Sequence, residues 1–534
     1  MYRVITGPHL RCVQKESVFV QLVLEEDLDL ELIIFQGEEC LASFTYVRKI
    51  QLAPRLFFYM LTTKVTLCIH KLYHYDIKNK QNSIISELNL GLGECVGLPS
   101  FIFGNERILT GSCRQLSSLE CDYLAKMLRE FDVASNRPQM LILTGDQIYA
   151  DDLSDDLLLK IIRLCAEYNL KSVSDFREQE RHDTCRSAAF TTAKSSNLLL
   201  SLGEYIMMYL LSWSEELWAS GDDFINYQDM RNVRKLFANV PVYMQMDDHD
   251  VSDDLKINNF WSKNINDLGT EILANAYVSG YIFQLMGNSH TPAPYEDLIV
   301  EFTDNKDKPT FELCTRIVDE ADWSYCLTIA DKNLLFLDTR NFRLGGNAPR
   351  IPAGLIKPSK ITALLTGHEG KDLIIVSPSP VYGYEPIERL QSFMSFLPQS
   401  VSLIDREGWH APSPSSAESE SFKALEYQLS ISKARRIIVL SGDVHYSFIR
   451  QIELPEVAVV QLVVSALKNK PPLTFLARLG FDLYNRFSNN SKYLRSSQGN
   501  KVLHQSNYCF LKLESEITIS MYSSEIEHKF NLDT

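Results

Sequence analysis

The sequence predicts a mixed α/β fold preceded by an N-terminal β-sandwich. From residue 108 onward, short aliphatic runs alternate with longer stretches of helical periodicity, a pattern typical of α/β layers. Residues 1–100 instead contain apolar runs separated by short polar breaks, as in a small β-sandwich. Two aliphatic runs, Met140–Leu143 and Ile437–Leu440, lead directly into polar motifs. We therefore expect functional side chains at the carboxyl ends of buried strands, where ligands bind in open α/β sheets.

The strands are predicted from runs of aliphatic and aromatic residues bounded by polar breaks. In the first 100 residues they are Val18–Leu24, Leu30–Phe35 and Phe57–Leu61. In the α/β part they are Arg107–Leu109, Met140–Leu143, Val242–Met246, Asn333–Leu337, Asp372–Val376 and Ile437–Leu440. A last segment, Tyr508–Tyr522, alternates like one strand and is expected to close a sheet.

A long helical insert is predicted at about residues 153–239, where apolar residues recur at helical spacing. This insert could either cover the site as a lid or serve as scaffold, and its sequence favours neither role. Its most apolar stretch, Leu198–Trp213, is short for a membrane span and contains Glu204, which favours a buried helix. The predicted domains are residues 1–100, the catalytic domain 101–465 with this insert, and a C-terminal segment 466–534.

Composition narrows the classes of partner and compartment. The chain has 53 basic and 68 acidic residues, a net charge of −15, which disfavours a surface that coats nucleic acid, and no sequence-specific nucleic-acid partner is expected. Phosphate substrates stay compatible, because bound cations invert the local potential. Eleven cysteines without CxxC pairs favour a reducing compartment. Residues 1–10 do not resemble a signal peptide, so a cytoplasmic location is expected.

Two motifs that follow predicted strands carry potential metal ligands. Cys113 lies in Gly111–Arg114, although a lone cysteine after a Gly-Ser turn more often packs than binds metal. Asp146 and Tyr149 lie in Thr144–Asp152. An aspartate at a strand end can bridge two cations, and a tyrosine three residues later can place its phenolate on a trivalent cation.

Two further motifs strengthen the prediction of a metal centre. The segment 246–254 contains five aspartates and His249, and such carboxylates are costly near one another unless cations neutralise them. The alternative is a solvated acidic loop. Asp443 and His445 are alternate residues of an extended segment and can therefore face one metal pair, the alternative being a surface turn. Together these motifs predict a metal-dependent hydrolase of phosphate esters.

The motifs appear in the order seen in the PhoD-like alkaline phosphatases, a branch of the calcineurin-like metallophosphatases, which this chain resembles. Leu337–Arg340 and Gly7–Arg11 also resemble segments of that family, and the resemblance spans residues 7 to 465. It implies a four-layer α/β/β/α metallophosphatase sandwich behind the N-terminal β-sandwich domain.

The resemblance also implies roles for individual residues. A ferric ion would be bound by Cys113, Asp146, Tyr149 and His445. A second, divalent site, expected to hold calcium and open to another divalent metal, would be formed by Asp146, Asp248 and Asp443. The catalytic residues would be His249, which contacts substrate and protonates the leaving oxygen, Asp250, which orients it, and Arg340, which contacts the phosphate.

One segment departs from the wider metallophosphatases, which place a histidine after a strand and before a proline. The matching stretch here, Ile374–Pro380, contains no histidine. Its absence favours the PhoD-like branch, whose second metal site is rich in oxygen ligands, and such ligands suit calcium better than zinc.

The predicted activity is hydrolysis of phosphoric mono- or diesters by metal-activated hydroxide. Phospholipid or cell-wall polymer diesters are a second enzymatic possibility, and the lack of an export signal argues against cell-wall polymers. The alternative from another class is a catalytically silent member of the fold that serves as a binding or scaffold protein.

A basic segment at 468–501 contrasts with the acidic chain. It has seven basic residues and one acid, Asp482, around apolar residues at nearly helical spacing. This pattern is compatible with peripheral contact with an anionic membrane surface or with a polyanionic substrate. The alternative is a helix that packs on the core with a solvated basic face. The sequence does not indicate an oligomeric state.

Overall fold

The fold is that of a computed structural model that describes most of the chain. The described residues are 2–42, 44–93, 97–131, 136–171, 178–188, 190, 197–218, 225–253, 255, 265–289, 294–306, 309–343, 354–388, 409, 420–470, 493–514, 516–524 and 526–531. Within these ranges the chain is a mixed α/β protein with several sheets, as predicted.

The N-terminal part forms two antiparallel sheets, which confirms the strands predicted there. The strands are β1 (Val4–Gln14), β2 (Ser17–Leu24), β3 (Leu30–Gln36), β4 (Glu39–Ala42), β5 (Thr45–Ala53), β6 (Leu56–Lys64), β7 (Leu72–Asn79), β8 (Asn82–Ser83) and β9 (Ser100–Ile102). One sheet has the order β1-β2-β6-β5, and the other has the order β4-β3-β7-β8, with β9 beside β7.

A six-stranded sheet contains the first three predicted α/β strands. Its members are β10 (Arg107–Gly111), β11 (Met140–Leu143), β12 (Val242–Met244), β20 (Tyr508–Leu513), β21 (Ile517–Ser523) and β22 (Ile526–Asn531). Their order is β12-β11-β10-β20-β21-β22, and β10, β11 and β12 run parallel. The prediction of one strand at Tyr508–Tyr522 is wrong in detail, because this segment is an antiparallel hairpin. It does close the sheet, since β20 pairs with β10.

A seven-stranded sheet contains the other predicted strands. It consists of β13 (Tyr325–Ile329), β14 (Lys332–Phe336), β15 (Asp372–Val376), β16 (Arg436–Ser441), β17 (Ser447–Glu453), β18 (Ala458–Val463) and β19 (Val502–Leu503), in the order β13-β14-β15-β16-β18-β17-β19. The central strands β14, β15, β16 and β18 are parallel, so their carboxyl ends share one edge.

The α-helices are bounded as follows. They are α1 (Tyr123–Lys126), α2 (Asp155–Tyr168), α3 (Glu178–Ser187), α4 (Leu202–Trp213), α5 (Tyr227–Asn239), α6 (Asp267–Gly280), α7 (Glu296–Asp304), α8 (Phe311–Glu320), α9 (Pro358–Leu364) and α10 (Glu420–Ser430). A π-helical turn, Tyr281–Leu285, continues α6, and short 3-10 helices lie at Ser86–Leu88 and Met127–Phe131.

The two faces of the seven-stranded sheet belong to different apolar clusters. Leu334, Ile374 and Ile438 lie in the large cluster that includes β10 and β11 of the six-stranded sheet. Their neighbours of opposite orientation, such as Leu335 and Ile375, pack in a second cluster with side chains of α9 and α10. Alternation along buried parallel strands produces this division, since successive side chains point to opposite faces. The full four-layer arrangement stays a prediction.

Helices α2 to α5 lie within the predicted insert. Every residue of α4 is buried, as expected for its apolar sequence. Ser201 and Glu204 form a capping box at its start, and the Glu204 carboxylate pairs with Arg181 at 2.8 Å, which satisfies a buried charge inside an apolar helix. Among the described residues, no helix has the length and apolarity needed to cross a membrane.

The three predicted domain boundaries stay predictions. The pairing of β20 with β10 joins the C-terminal segment to the sheet of the central part. Most of the predicted basic segment, residues 471–492, lies outside the described residues, as do parts of the insert.

Candidate metal centre

The loops after five strands bring the predicted site residues together. Cys113 follows β10, Asp146 and Tyr149 follow β11, and the acidic segment follows β12. From the other sheet, Arg340 follows β14, and Asp443 and His445 follow β16. All five strands are parallel to a neighbour within their sheets, so these loops occupy the carboxyl-terminal edges, as expected.

The backbone of these loops is held in a conformation that non-glycine residues rarely adopt. Cys113, Asp146, Asp443 and His445 have positive φ values of 59°, 53°, 69° and 57°. Such a residue costs on the order of 1–3 kcal/mol and persists only where its surroundings enforce it. Four of the predicted ligands have this conformation. The loops therefore direct these side chains toward one place at a cost in backbone strain.

Two glycines allow the loops to approach one another closely. A Cβ at Gly442, after β16, would lie 2.2 Å from the hydroxyl oxygen of Ser112, after β10. A Cβ at Gly145 would lie 2.7 Å from the Cβ of Asp247. Neither distance is sterically possible, so only glycine allows the two sheets to meet at Gly442 and the neighbouring loops after β11 and β12 to meet at Gly145.

The first group of potential ligands surrounds Asp146. Ligand atoms of Cys113, Asp146 and His445 all lie within 4.8 Å of one another. The Tyr149 hydroxyl lies 2.9 Å from His445 Nε2 and 3.3 Å from Asp146 Oδ2. The structure thus brings together the four residues predicted to bind the ferric ion.

Two further groups extend the first, the second group sharing Asp146 with it and the third sharing Asp248 with the second. Asp146 groups with Asp248 and His249, and Asp248 also groups with Asp247 and Asp443, in each case with ligand atoms within 4.8 Å. Asp146 and Asp248 therefore join the three groups into one centre. Asp247 was not among the predicted ligands, although it lies in the acidic motif.

Residues outside the motifs complete this environment. Ser465 Oγ donates to Cys113 Sγ at 3.1 Å, and Ser379 Oγ donates to Asp443 Oδ2 at 3.0 Å. Asn469 Nδ2 lies 3.2 Å from His445 Nε2. Ser379 belongs to the stretch without a histidine, so that stretch contributes a hydroxyl to a predicted ligand of the divalent site.

Buried carboxylate oxygens without hydrogen-bond partners fit a cation. Asp146 Oδ1 and Asp247 Oδ2 are buried and accept no hydrogen bond among the described residues. Burial, reinforced by the neighbouring Asp247 carboxylate, raises the pKa of Asp146 well above its usual value. Burial also raises the pKa of Asp247 well above its usual value, although the Arg340 charge lowers it. The pKa of Asp443 is raised by burial as well. Buried carboxylates of this kind are stabilised by a metal ion, and the thiol, phenol, imidazole and carboxylates present are all known ligand types.

The histidines in the centre have opposite electrostatic environments. Burial lowers the pKa of His445 to about 4, with a smaller contribution from the His249 charge, which leaves a neutral imidazole suited to metal binding. Burial also lowers the pKa of His249, but the carboxylates of Asp151, Asp146 and Asp248 outweigh it, and the net pKa lies well above its usual value.

The partner of His249 differs from the prediction. Its Nδ1 lies 2.8 Å from Asp151 Oδ1, and Asp151 Oδ2 accepts the backbone N–H of Asp253 at 2.5 Å. Asp250, predicted to orient His249, instead accepts backbone N–H groups of Gln147 and Asp247 and so braces two loops. Asp250 is buried within a turn closed by hydrogen bonds from the Val251 and Ser252 N–H groups to the Asp248 carbonyl, whereas Asp151 reaches His249 from the loop after β11.

Arg340 lies inside the acidic part of the centre. Its side chain is 2% exposed, and its guanidinium pairs with Asp247, with Asp248 at 3.2 Å and with Asp443 at 3.5 Å. Asp338 Oδ1 accepts the backbone N–H of Arg340 at 2.9 Å, which fixes the loop. The role predicted for Arg340, contact with a phosphate, stays a prediction.

Comparison with known proteins supplies one structural likeness. No protein-family model and no curated protein sequence matches the chain. A solved structure described as "Structure of PhoD" is similar over 98% of this chain and 91% of that chain, with a TM-score of 0.50 and 11% sequence identity. At that identity the likeness concerns the fold and not the chemistry. The chain therefore has a PhoD-like fold, as its motifs predicted.

Proposed function

We propose that this protein is a metal-dependent phosphoric ester hydrolase that acts on phosphomonoesters, phosphodiesters or both. The observation that carries the proposal is the joined set of potential ligands around Asp146, at the carboxyl-terminal edges of the sheets of a PhoD-like fold. Strained loops, buried carboxylate oxygens that accept no hydrogen bond among the described residues, and a histidine whose pKa is raised by neighbouring carboxylates are together typical of a catalytic centre.

The ligand set supports two metal sites of different character. Cys113, Asp146, Tyr149 and His445 would hold the ferric ion, because thiolate, phenolate and imidazole donors suit a redox metal. Asp146, Asp248 and Asp443, with Asp247 beside them, would hold calcium through oxygen ligands. When bound, such cations activate a water molecule and neutralise charge on the phosphoryl oxygens.

His249 is the proposed general acid. Its side chain is 22% exposed, whereas that of its partner Asp151 is 1% exposed, so the ring can meet a substrate while its Nδ1 stays fixed. The raised pKa keeps a proton on the ring at neutral pH, which is the state needed to protonate a leaving alkoxide. Asp151 is therefore a positioning residue that acts through His249.

The proposal is tested by metal analysis of the purified full-length chain together with hydrolysis of p-nitrophenyl phosphate and its bis ester, with calcium added. We expect iron near one per chain, turnover, and a visible tyrosinate-to-iron absorption band that is lost in Tyr149→Phe. A protein without iron that hydrolyses neither ester under any added metal would leave the fold unchanged and favour the scaffold alternative.

Substitutions at His249 and Asp151 should separate general acid from positioning. We expect His249→Ala to lower kcat on p-nitrophenyl phosphate by about 10²–10⁴-fold, the usual contribution of a general acid. Asp151→Asn should lower kcat less than His249→Ala does. It should also shift the alkaline limb of the pH–kcat profile to lower pH, because the Asp151 carboxylate raises the pKa of His249.

Asp319→Asn makes the same change in an exposed residue of α8 and serves as the control. Equal kcat values and pH profiles for Asp151→Asn and Asp319→Asn would show that Asp151 does not act on His249.

A further inference from the structure

The Arg340 guanidinium lies at the place where the divalent cation is proposed to bind. This one side chain pairs with three carboxylates, those of Asp247, Asp248 and Asp443. Ligand atoms of the same three carboxylates lie within 4.8 Å of one another. Each contact comes from a different guanidinium nitrogen. The fork of Arg340 therefore satisfies, in a single buried position, the charges that a calcium ion would satisfy.

The oxygens that Arg340 engages leave few lone pairs for a metal ion. Asp248 Oδ2 faces Arg340, and Asp248 Oδ1 accepts the backbone N–H of His249. Asp443 Oδ2 faces Arg340 and also accepts from Ser379. Of the three carboxylates that Arg340 contacts, only that of Asp247 keeps a buried oxygen, Oδ2, that accepts no hydrogen bond among the described residues. A calcium ion with its usual six to eight oxygen ligands would need atoms that the guanidinium now contacts.

The backbone of Arg340 is held by hydrogen bonds, whereas its long side chain is held by its ion pairs with carboxylates. Buried Asp338 accepts the N–H groups of Arg340 and Asn341, each at 2.9 Å, so the loop after β14 stays in place. Withdrawal of the guanidinium would therefore be a movement of the side chain, with the loop backbone held by Asp338.

We propose that Arg340 is a resident counter-cation that competes with the divalent metal for Asp247, Asp248 and Asp443. This inference rests on the proposed function, in which those carboxylates belong to the second metal site. Because like charges repel and the guanidinium occupies shared lone pairs, Arg340 weakens calcium binding and sets the calcium concentration at which the centre becomes complete. Without calcium, the same side chain pairs with these three carboxylates and holds them in place.

The test is calcium titration by calorimetry of the full-length chain, with its tightly bound metal quantified first. We expect Arg340→Met to bind calcium at least about tenfold more tightly than wild type, since it removes the competing charge. Arg340→Lys should lie between the two, because a compact ammonium cannot contact three carboxylates at once. Arg343→Met removes the same charge from the same loop, where its Nε donates to the Thr339 carbonyl, and should match wild type.

The outcomes separate this inference from the proposed function. If wild type lacks bound metal and turnover, the proposed function fails. If wild type is metal-loaded and active but calcium affinity is unchanged or lower in the Arg340 variants, only the inference fails, and Arg340 is then a scaffold for the carboxylates. Should Arg340→Met not fold, Arg340→Lys decides the question, since calcium binding no tighter than in wild type overturns the competition.

Discussion

Asp146→Asn is expected to remove both tightly bound metal and turnover. Asp146 belongs to two of the three ligand groups, so an amide at this position removes one negative charge from each proposed cation site. Loss of such a bridging ligand should lower kcat/KM by about 10³-fold or more, comparable with removal of a main electrostatic stabiliser of a transition state. The measurements are metal content per chain and hydrolysis of p-nitrophenyl phosphate.

The control for Asp146→Asn is again Asp319→Asn, the same chemical change on the exposed face of α8. A folded Asp146→Asn protein that keeps a full complement of metal and wild-type turnover would contradict the proposed centre. A variant that loses iron but keeps its secondary structure would support it, because Asp146 Oδ1 is buried and accepts no hydrogen bond within the described part of the chain.

Chelation is expected to destabilise the folded protein, and the loss should be larger at pH 8 than at pH 5.5. Burial raises the pKa of Asp146, Asp247 and Asp443, and it raises that of Asp250 to about 7. In the unfolded state the aspartate carboxyl groups have a pKa of about 3.9, so between that pH and the raised pKa values the metal-free folded state binds more protons than the unfolded state. The contribution of these groups to the free energy of unfolding of the metal-free protein therefore falls as pH rises.

Bound cations oppose this fall by neutralising the carboxylates. At a metal concentration of roughly a thousand times Kd, binding stabilises the folded state by about 4 kcal/mol. The measurement is urea unfolding at both pH values, before and after chelation, so that groups unaffected by metal cancel in the difference. A chelation effect that is absent, or larger at pH 5.5, would contradict a site built on these carboxylates.

The strands were predictable from sequence because buried parallel strands are continuous aliphatic runs. Met140–Leu143 and Asp372–Val376 have the predicted bounds, since each run ends at a polar residue that leaves the sheet. The Tyr508–Tyr522 hairpin was not predicted, because its connection, between Leu513 and Ile517, lacks the Gly, Pro or Asn that usually marks a turn.

The site residues within motifs were predictable, whereas contacts between motifs were not. Asp146 and Asp443 follow aliphatic runs, which place them at strand ends. The pairing of Asp151 with His249 joins loops from two strands, and only the side-by-side pairing of β11 and β12 brings those loops together. Ser379 was missed for the same reason, because its hydroxyl donates to Asp443, which lies in another motif.

The close approach of Gly442 to Ser112 has a consequence for how the centre matures. The two residues lie far apart in the sequence, and their contact brings Cys113 beside His445. A nascent chain that ends before residue 442 contains Cys113, Asp146 and Tyr149 but lacks the histidine that completes their group. If the proposed iron site forms, its metal would therefore be captured only after the chain has been synthesised through His445, and the ion would tie the loop after β10 to the loop after β16.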